Sequence, residues 1–418
     1  MDFLSPPELE RLCCLVYSDD LLNYSAELSL GDIAGDMLRQ TTKETPDEYV
    51  SNIDFSIVYR DIITNKNLSS LKLLDFYDVP LNYQKDDKTP GNRILVFGNG
   101  KKIAVVFRGT HGDAEWADNG ARMYQTETKE LLDCAAFVNR TFIKFAPDYL
   151  VTAGHSGGGN KSMYCFLTCK LYGNYTVNEC FSLDGQGFSA EFTDKYSENI
   201  KERAEKIIGF AERRDFVNCL GFYALRPPLY FSGARGETIL PDYLFGSPLP
   251  WFHLPDSLRN SDNEIMTQAE FSYISETINA LVTYLLTAPE YADKKKFLCD
   301  TIVTLMMDET RKNRTKQAEA IAIILAAAVE IASANHDFVL MIKNIIKYEK
   351  RVILSTAIML FGDITDWGES EFLALIKKMF KKHSSEDFCN SNDECKRELN
   401  NALCECDSGF KAFSLNVG

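Results

Sequence analysis

The chain is poor in positive charge for its size. Its 418 residues carry 45 lysines and arginines against 60 aspartates and glutamates, a net charge of −15. That balance excludes nucleic acid, or an anionic membrane, as a partner held by electrostatics, and leaves open peripheral membrane contact through apolar surface. Long hydrophobic runs are also missing. The longest, around 320–329, falls well short of the roughly 20 residues a membrane-spanning helix needs. The first ten residues hold acids where a secretory leader wants bases, with no apolar stretch behind them, so the expectation is a cytoplasmic protein. None of the 12 cysteines forms a C-x2-C pair. Eight lie in apolar or helical contexts and read as reduced core residues. Cys389, Cys395, Cys404 and Cys406 cluster in a polar tail without zinc-site spacing, and no metal is expected. Histidine is scarce as well, with five in the chain, so a search for a general base is short.

Hydrophobic content of 45% and charged content of 25% belong to a globular protein, and the length suggests two domains. The first 70 residues read as helices over 7–17, 30–38 and 46–59, with apolar residues at helical spacing continuing across 52–65. Strands follow at 71–79, 93–98 and 103–107, the last two joined across Asn99-Gly100, a strong hairpin signal. Beyond them, helices over 126–145, 158–171 and 191–204 alternate with strands ending at Gly154, Leu183 and Phe210. That alternation implies crossover units and a mostly parallel sheet, in which chemistry gathers at the carboxyl ends of the strands. Residues 222–252 are irregular and aromatic and are expected in part to line the site. From 263 the pattern is helical to about 380. The expected domains are therefore 1–262 and an all-helical 263–418.

The chain is organised around one turn. An apolar run from Tyr149 ends in Gly154-His155-Ser156-Gly157-Gly158, which fits the G-x-S-x-G nucleophile elbow. A serine on a strand-to-helix turn takes strained backbone angles, and small neighbours let strand and helix approach. Its hydroxyl is pushed into a cleft at which the next helix, starting near Gly157, aims free N–H groups. A phosphate loop through Gly159-Asn160-Lys161-Ser162 has the wrong spacing. His155 is expected to pack or to bond locally.

Serine needs a base, and the base a carboxylate to fix its tautomer. His111 precedes the elbow and is expected to shape the mouth of the site, while His336 and His383 fall in the helical region and tail. His253 stands in a loop after the last strand candidate, where an α/β hydrolase carries its base. Asp215 gives the chain order serine, acid, histidine, and Asp184, ending the preceding strand, is the alternative acid.

Phe107-Arg108-Gly109-Thr110, followed by Trp116 and Asn119, then Gly154-His155-Ser156-Gly157-Gly158, and finally Asp215-Phe216-Val217, resemble the class 3 (fungal-type) lipases and their bacterial relatives. The resemblance covers about 70–255. It implies an α/β-hydrolase fold acting on carboxylic esters, often of acyl lipids. The second oxyanion donor would be the backbone N–H of Thr110, beside that of Gly157. At Gly157 the chain departs from the leucine common in those lipases.

The expected function is therefore a serine carboxylesterase or lipase-like hydrolase of small-molecule or lipid esters. It would use Ser156, Asp215 and His253 without a cofactor. An acyltransferase with the same triad, or a non-catalytic scaffold on this fold, is the alternative.

Overall fold

A computed structural model describes residues 3–24, 28–40, 53–79, 91–213, 215, 217–222, 229–231, 253–259, 273–304, 307, 313–334 and 378. The chain divides into two compact units. The first holds the residues described up to 259, and the second those from 273 onward.

The first unit opens with helices α1 (Pro6–Leu15), α2 (Leu30–Gln40), α3 (Phe55–Thr64) and a single turn, α4 (Lys66–Ser69). Ser5 and Glu8 cap α1 reciprocally, the Ser5 N–H donating to Glu8 Oε2 at 2.7 Å, which satisfies donors a helix start leaves open. Asp54 caps α3, so the helix starts there and runs to Thr64. Of the apolar residues in that stretch, Phe55, Val58, Tyr59 and Ile62 are buried, whereas Ile57 and Ile63 are exposed.

Among the described residues seven strands follow in sequential order across one sheet: β1 (Lys72–Val79), β2 (Asn92–Asn99), β3 (Lys102–Phe107), β4 (Tyr149–His155), β5 (Glu179–Leu183), β6 (Ile207–Glu212) and β7 (Leu229–Phe231). The first three pair antiparallel, through the hairpin expected at Asn99-Gly100, and β3 to β7 pair parallel. Between β3 and β4 lie α5 (Asp113–Arg122) and α6 (Lys129–Phe145), and α7 (Gly157–Thr168) follows β4. The helix expected over 191–204 is broken at Tyr196 into α8 (Ala190–Lys195) and α9 (Ser197–Arg203). Helix α5 and strand β7 had no counterpart in the sequence reading.

Alternation along the strands builds three layers. Leu95, Phe97, Ala104, Val106, Val151 and Ala153 point to one face, where they pack against α1, α2 and α3. Ile94, Val96, Ile103, Val105 and Leu150 point to the other, under α6, α7 and α8. A period of two with both faces apolar is how a covered sheet reads.

The second unit contains α10 (Tyr273–Thr287), α11 (Lys295–Thr304) and α12 (Arg314–Ala334), around a core of Leu285, Tyr291, Leu298, Ile323, Ala326 and Ile331. Apart from Lys378, the helices expected beyond 334 and the four tail cysteines lie outside the described residues, as do His336 and His383. No helix among the described residues is long and apolar enough to cross a membrane.

Candidate active site

Strand β4 ends at His155 and α7 begins at Gly157, so the whole reversal falls on Ser156. It takes φ 59° and ψ −130°, a conformation that costs a non-glycine residue of the order of 1–3 kcal/mol. The turn is held by the Ser156 N–H donating to Leu183 O at 2.9 Å and the Gly159 N–H donating to Ser156 O at 2.9 Å. A side chain at Gly154 would overlap the Gly158 carbonyl, and one at Gly158 the Phe107 carbonyl. Small residues are required here by close approach of backbone.

At this turn three groups from distant parts of the chain meet. His253 Nε2 lies 2.8 Å from Ser156 Oγ, and His253 Nδ1 lies 3.0 Å from Asp215 Oδ2. All three residues are buried. The Asp215 carboxylate is oriented by its own loop. The Val217 N–H donates to Oδ1 at 3.1 Å, and the Asn218 N–H to Oδ2 at 3.3 Å. The arrangement comes from parallel pairing: Phe107, Gly154, Leu183 and Phe210 sit near the carboxyl ends of neighbouring strands. The loops carrying Thr110, Ser156, Asp184 and Asp215 therefore converge.

Asp184, the alternative acid, is also buried but has another bond. Its Oδ1 accepts the Glu212 N–H at 2.6 Å, and its backbone is left-handed at φ 47°. Burial, and then the charge of Asp215, push its carboxyl well above the usual carboxylate range. His155, Asp184 and His253 could each offer one ligand atom, these atoms lying within 4.8 Å of one another. His253, however, is engaged on one side with Ser156 and on the other with Asp215.

The turn after β3 is pinned on both sides of Thr110. The Gly109 N–H donates to Tyr17 Oη at 3.1 Å and the His111 N–H to Glu115 Oε2 at 3.0 Å. The side chain of Thr110 accepts from Asn119 Nδ2 at 2.5 Å. A Cβ on Gly157 would stand 2.6 Å from Thr110 Oγ1 and 3.5 Å from Thr110 N. Thr110 and Gly157 are therefore neighbours, and the Thr110–Asn119 bond occupies the space a larger residue at 157 would need. His111 sits on this turn and is absent from the Ser156–His253–Asp215 contacts.

Behind the turn lies a buried ionic cluster that composition and periodicity did not show. Arg108 pairs with Glu115 at 2.7 Å, and Arg122 pairs with Glu130 at 2.7 Å and Asp118 at 2.6 Å. Lys161, dismissed above as a phosphate ligand, pairs with Glu130 and donates to Asn92 Oδ1 at 3.1 Å. Arg122 Nη1 also donates to the Gly157 carbonyl at 3.3 Å. Burial pushes Glu115 up to about 7, outweighing Arg108 and Lys161. The alternation of β4 turns odd-numbered side chains toward α1, so His155 faces that layer, where its Nδ1 lies 2.9 Å from Tyr17 Oη. Tyr17 carried no sequence signal.

An α/β protein with a hydroxyl, an imidazole and a carboxylate in contact at the strand ends is the class this geometry defines. Residues 65–212 match the Mbeg1-like family model, a lipase-like family, which supports a class 3 lipase-like relationship. A fungal lipase, solved with an inhibitor as a model for interfacial activation in lipases, is similar at 15% identity. The match covers 55% of this chain and 78% of that one, with a TM-score of 0.33. No curated protein matches the sequence.

Proposed function

We propose that the chain is a serine hydrolase of carboxylic esters on an α/β-hydrolase fold, with residues 1–262 as the hydrolase domain and 263–418 as a helical one. The observation that carries the reading is the pair of contacts at His253, 2.8 Å to Ser156 Oγ and 3.0 Å to Asp215 Oδ2. A neutral imidazole can accept a proton at Nε2 only when its own proton sits on Nδ1, and a carboxylate beside Nδ1 holds that tautomer.

In the reaction, Ser156 Oγ attacks the ester carbonyl carbon while its proton moves to His253 Nε2. The carbonyl oxygen becomes an oxyanion, received by the N–H groups of Thr110 and Gly157. Each such donor is commonly worth about 3 kcal/mol in the transition state. Collapse breaks the ester C–O bond, and His253 returns the proton to the departing alkoxide. Water then attacks the acyl-Ser156 carbonyl, giving its proton to His253, and the second collapse releases the carboxylic acid and restores the Ser156 hydroxyl. These steps use protein groups and water alone. The strained backbone at Ser156 fits the role, because strain of this kind collects at functional sites.

A fluorophosphonate probe tests the reading. Stoichiometric labelling that disappears in Ser156→Ala, with turnover of p-nitrophenyl esters, is the expected result. A folded protein that never labels and turns over no ester would end it and favour a binding scaffold. Turnover that yields mainly acyl transfer to an added alcohol would make the protein an acyltransferase with the same intermediate.

A further inference from the structure

We propose that Tyr17 is a positioning residue of this site, setting with one hydroxyl both the turn that carries Thr110 and, through His155, the seat of the His253 ring. The proposal rests on the serine-hydrolase reading above.

Tyr17 lies two residues beyond α1 and outside the segment matched by the family model. Its side chain is buried, and its oxygen accepts the Gly109 N–H at 3.1 Å. The same oxygen is 2.9 Å from His155 Nδ1. A phenol has one proton to give, and giving it to Nδ1 leaves the oxygen's lone pairs for Gly109. The His155 ring lies 4.8 Å from that of His253, centroid to centroid, at an interplanar angle of 39°. The two rings are in contact, so the orientation of one limits the orientation of the other.

Two consequences follow for the chemistry. First, His155 stays neutral. Burial, and then the neighbouring His253 imidazole, push it well below the ordinary histidine range, against an opposing pull from the His253 backbone. A neutral His155 places no second cation beside the imidazolium that forms on His253 when it takes the Ser156 proton. Second, the oxyanion turn is fixed from the same atom. A side chain at Gly109 would overlap the Tyr17 hydroxyl, and its Cβ would stand 2.8 Å from the His155 carbonyl and 3.1 Å from Ser156 Cβ. Glycine at 109 is what allows the hydroxyl to reach the turn. A pure packing role would need the tyrosine ring and not its oxygen. The oxygen, with bonds to the oxyanion turn and to the imidazole beside the base, is the part that reaches the site.

The test uses the full chain with p-nitrophenyl butyrate, active sites being counted with a fluorophosphonate. Tyr17→Phe keeps the ring and removes the oxygen. The expected result is a fall in kcat per titrated site of about tenfold to a hundredfold, the scale of a misplaced catalytic group, with KM within about twofold. Because kcat is taken per titrated site, protein lost to misfolding does not count as lost chemistry. In the double variant Tyr17→Phe with His155→Gln, the loss should be smaller than the product of the two single losses, since the link from Tyr17 through His155 to His253 is broken in both. Unchanged kcat per titrated site in Tyr17→Phe, or losses that multiply in the double variant, would overturn the proposal and leave the hydrolase reading intact. Failure of the unmodified protein to label, or labelling that survives Ser156→Ala, would instead defeat the hydrolase reading and this proposal with it.

Discussion

Arg259 closes on Glu10 across 249 residues of sequence, Nη2 standing 2.9 Å from Glu10 Oε2 and Nε donating to the same oxygen at 3.0 Å. It also donates to the Pro7 carbonyl at 2.8 Å. The segment that begins at His253 is thus tied to the first helix of the chain. Truncating Arg259 to alanine removes charge-assisted bonds to a buried carboxylate, a loss of about 2–3 kcal/mol. The expected outcome is a lower urea midpoint for unfolding together with slower fluorophosphonate labelling, because the loop that presents the imidazole loses its anchor. Equal labelling rates in a destabilised Arg259→Ala would separate the anchor from the site.

The two buried aspartates should respond in opposite ways to the same change. Asp215→Asn removes the carboxylate at His253 Nδ1 and is expected to lower kcat by the order of 10³–10⁴, as loss of the tautomer-fixing acid does elsewhere. Asp184→Asn keeps an oxygen to accept the Glu212 N–H and should leave kcat within a few-fold. Steady-state assays of both variants check this, and the reverse ranking would assign the acid to Asp184.

Asp184 also predicts a pH dependence of stability. Its folded carboxyl titrates well above the ordinary range, whereas in the unfolded chain it ionises near pH 3.9. Above that pH the folded state keeps a proton the unfolded state has released, so this group's contribution falls as pH rises toward the folded pKa. Asparagine does not titrate. The melting temperature of Asp184→Asn minus that of the unmodified protein should therefore grow more positive from pH 4 to pH 7, and calorimetry across that window measures it. A flat difference would mean that Asp184 is ionised in the folded protein.

Arg122 is expected to be intolerant of truncation. It is fully buried between Asp118 and Glu130 and donates to the Gly157 carbonyl. Arg122→Ala leaves carboxylates uncompensated in the interior, a loss of about 3–5 kcal/mol, read as a large drop in the denaturation midpoint. Lys129→Ala, which breaks the exposed Lys129–Asp133 pair, should leave the denaturation midpoint nearly unchanged. Comparable losses at the two positions would show that the cluster behind the turn is not desolvated.

Gly157 offers a direct check on the proposed oxyanion role of the Thr110 turn. Gly157→Ala brings a methyl within 2.6 Å of Thr110 Oγ1, so either the Thr110–Asn119 bond breaks or the turn moves. The expected outcome is a loss of about 1–3 kcal/mol from overpacking and a lower kcat at similar KM. Wild-type kinetics in a stable Gly157→Ala would mean that Thr110 and Gly157 do not act together.

Local pattern carried much of this protein. Alternating apolar residues in β2 and β3 about Asn99-Gly100 specified a hairpin, because side chains on a strand must alternate faces. Glycines 154 and 158 on either side of Ser156 specified the turn, because no larger residue lets those backbones touch. The histidines were few enough that His253 could be singled out before any fold was known. Helix α5 was missed because Asp113–Arg122 is largely polar in sequence, its partners being buried ions whose pairing no periodicity records.

Folding alone decided the rest. Sequence left Asp184 and Asp215 as rival acids at neighbouring strand ends, and only the fold brings one of them, Asp215, beside His253 Nδ1. Tyr17, Glu10 and Arg259 were anonymous in the chain, because a hydroxyl or an ion pair gains its role only when the sheet's alternation and the covering helix bring a partner within 3 Å or so. The turn that bears Ser156 was written in adjacent residues, whereas its surroundings were written in contacts between residues far apart, and those exist only once the layers close.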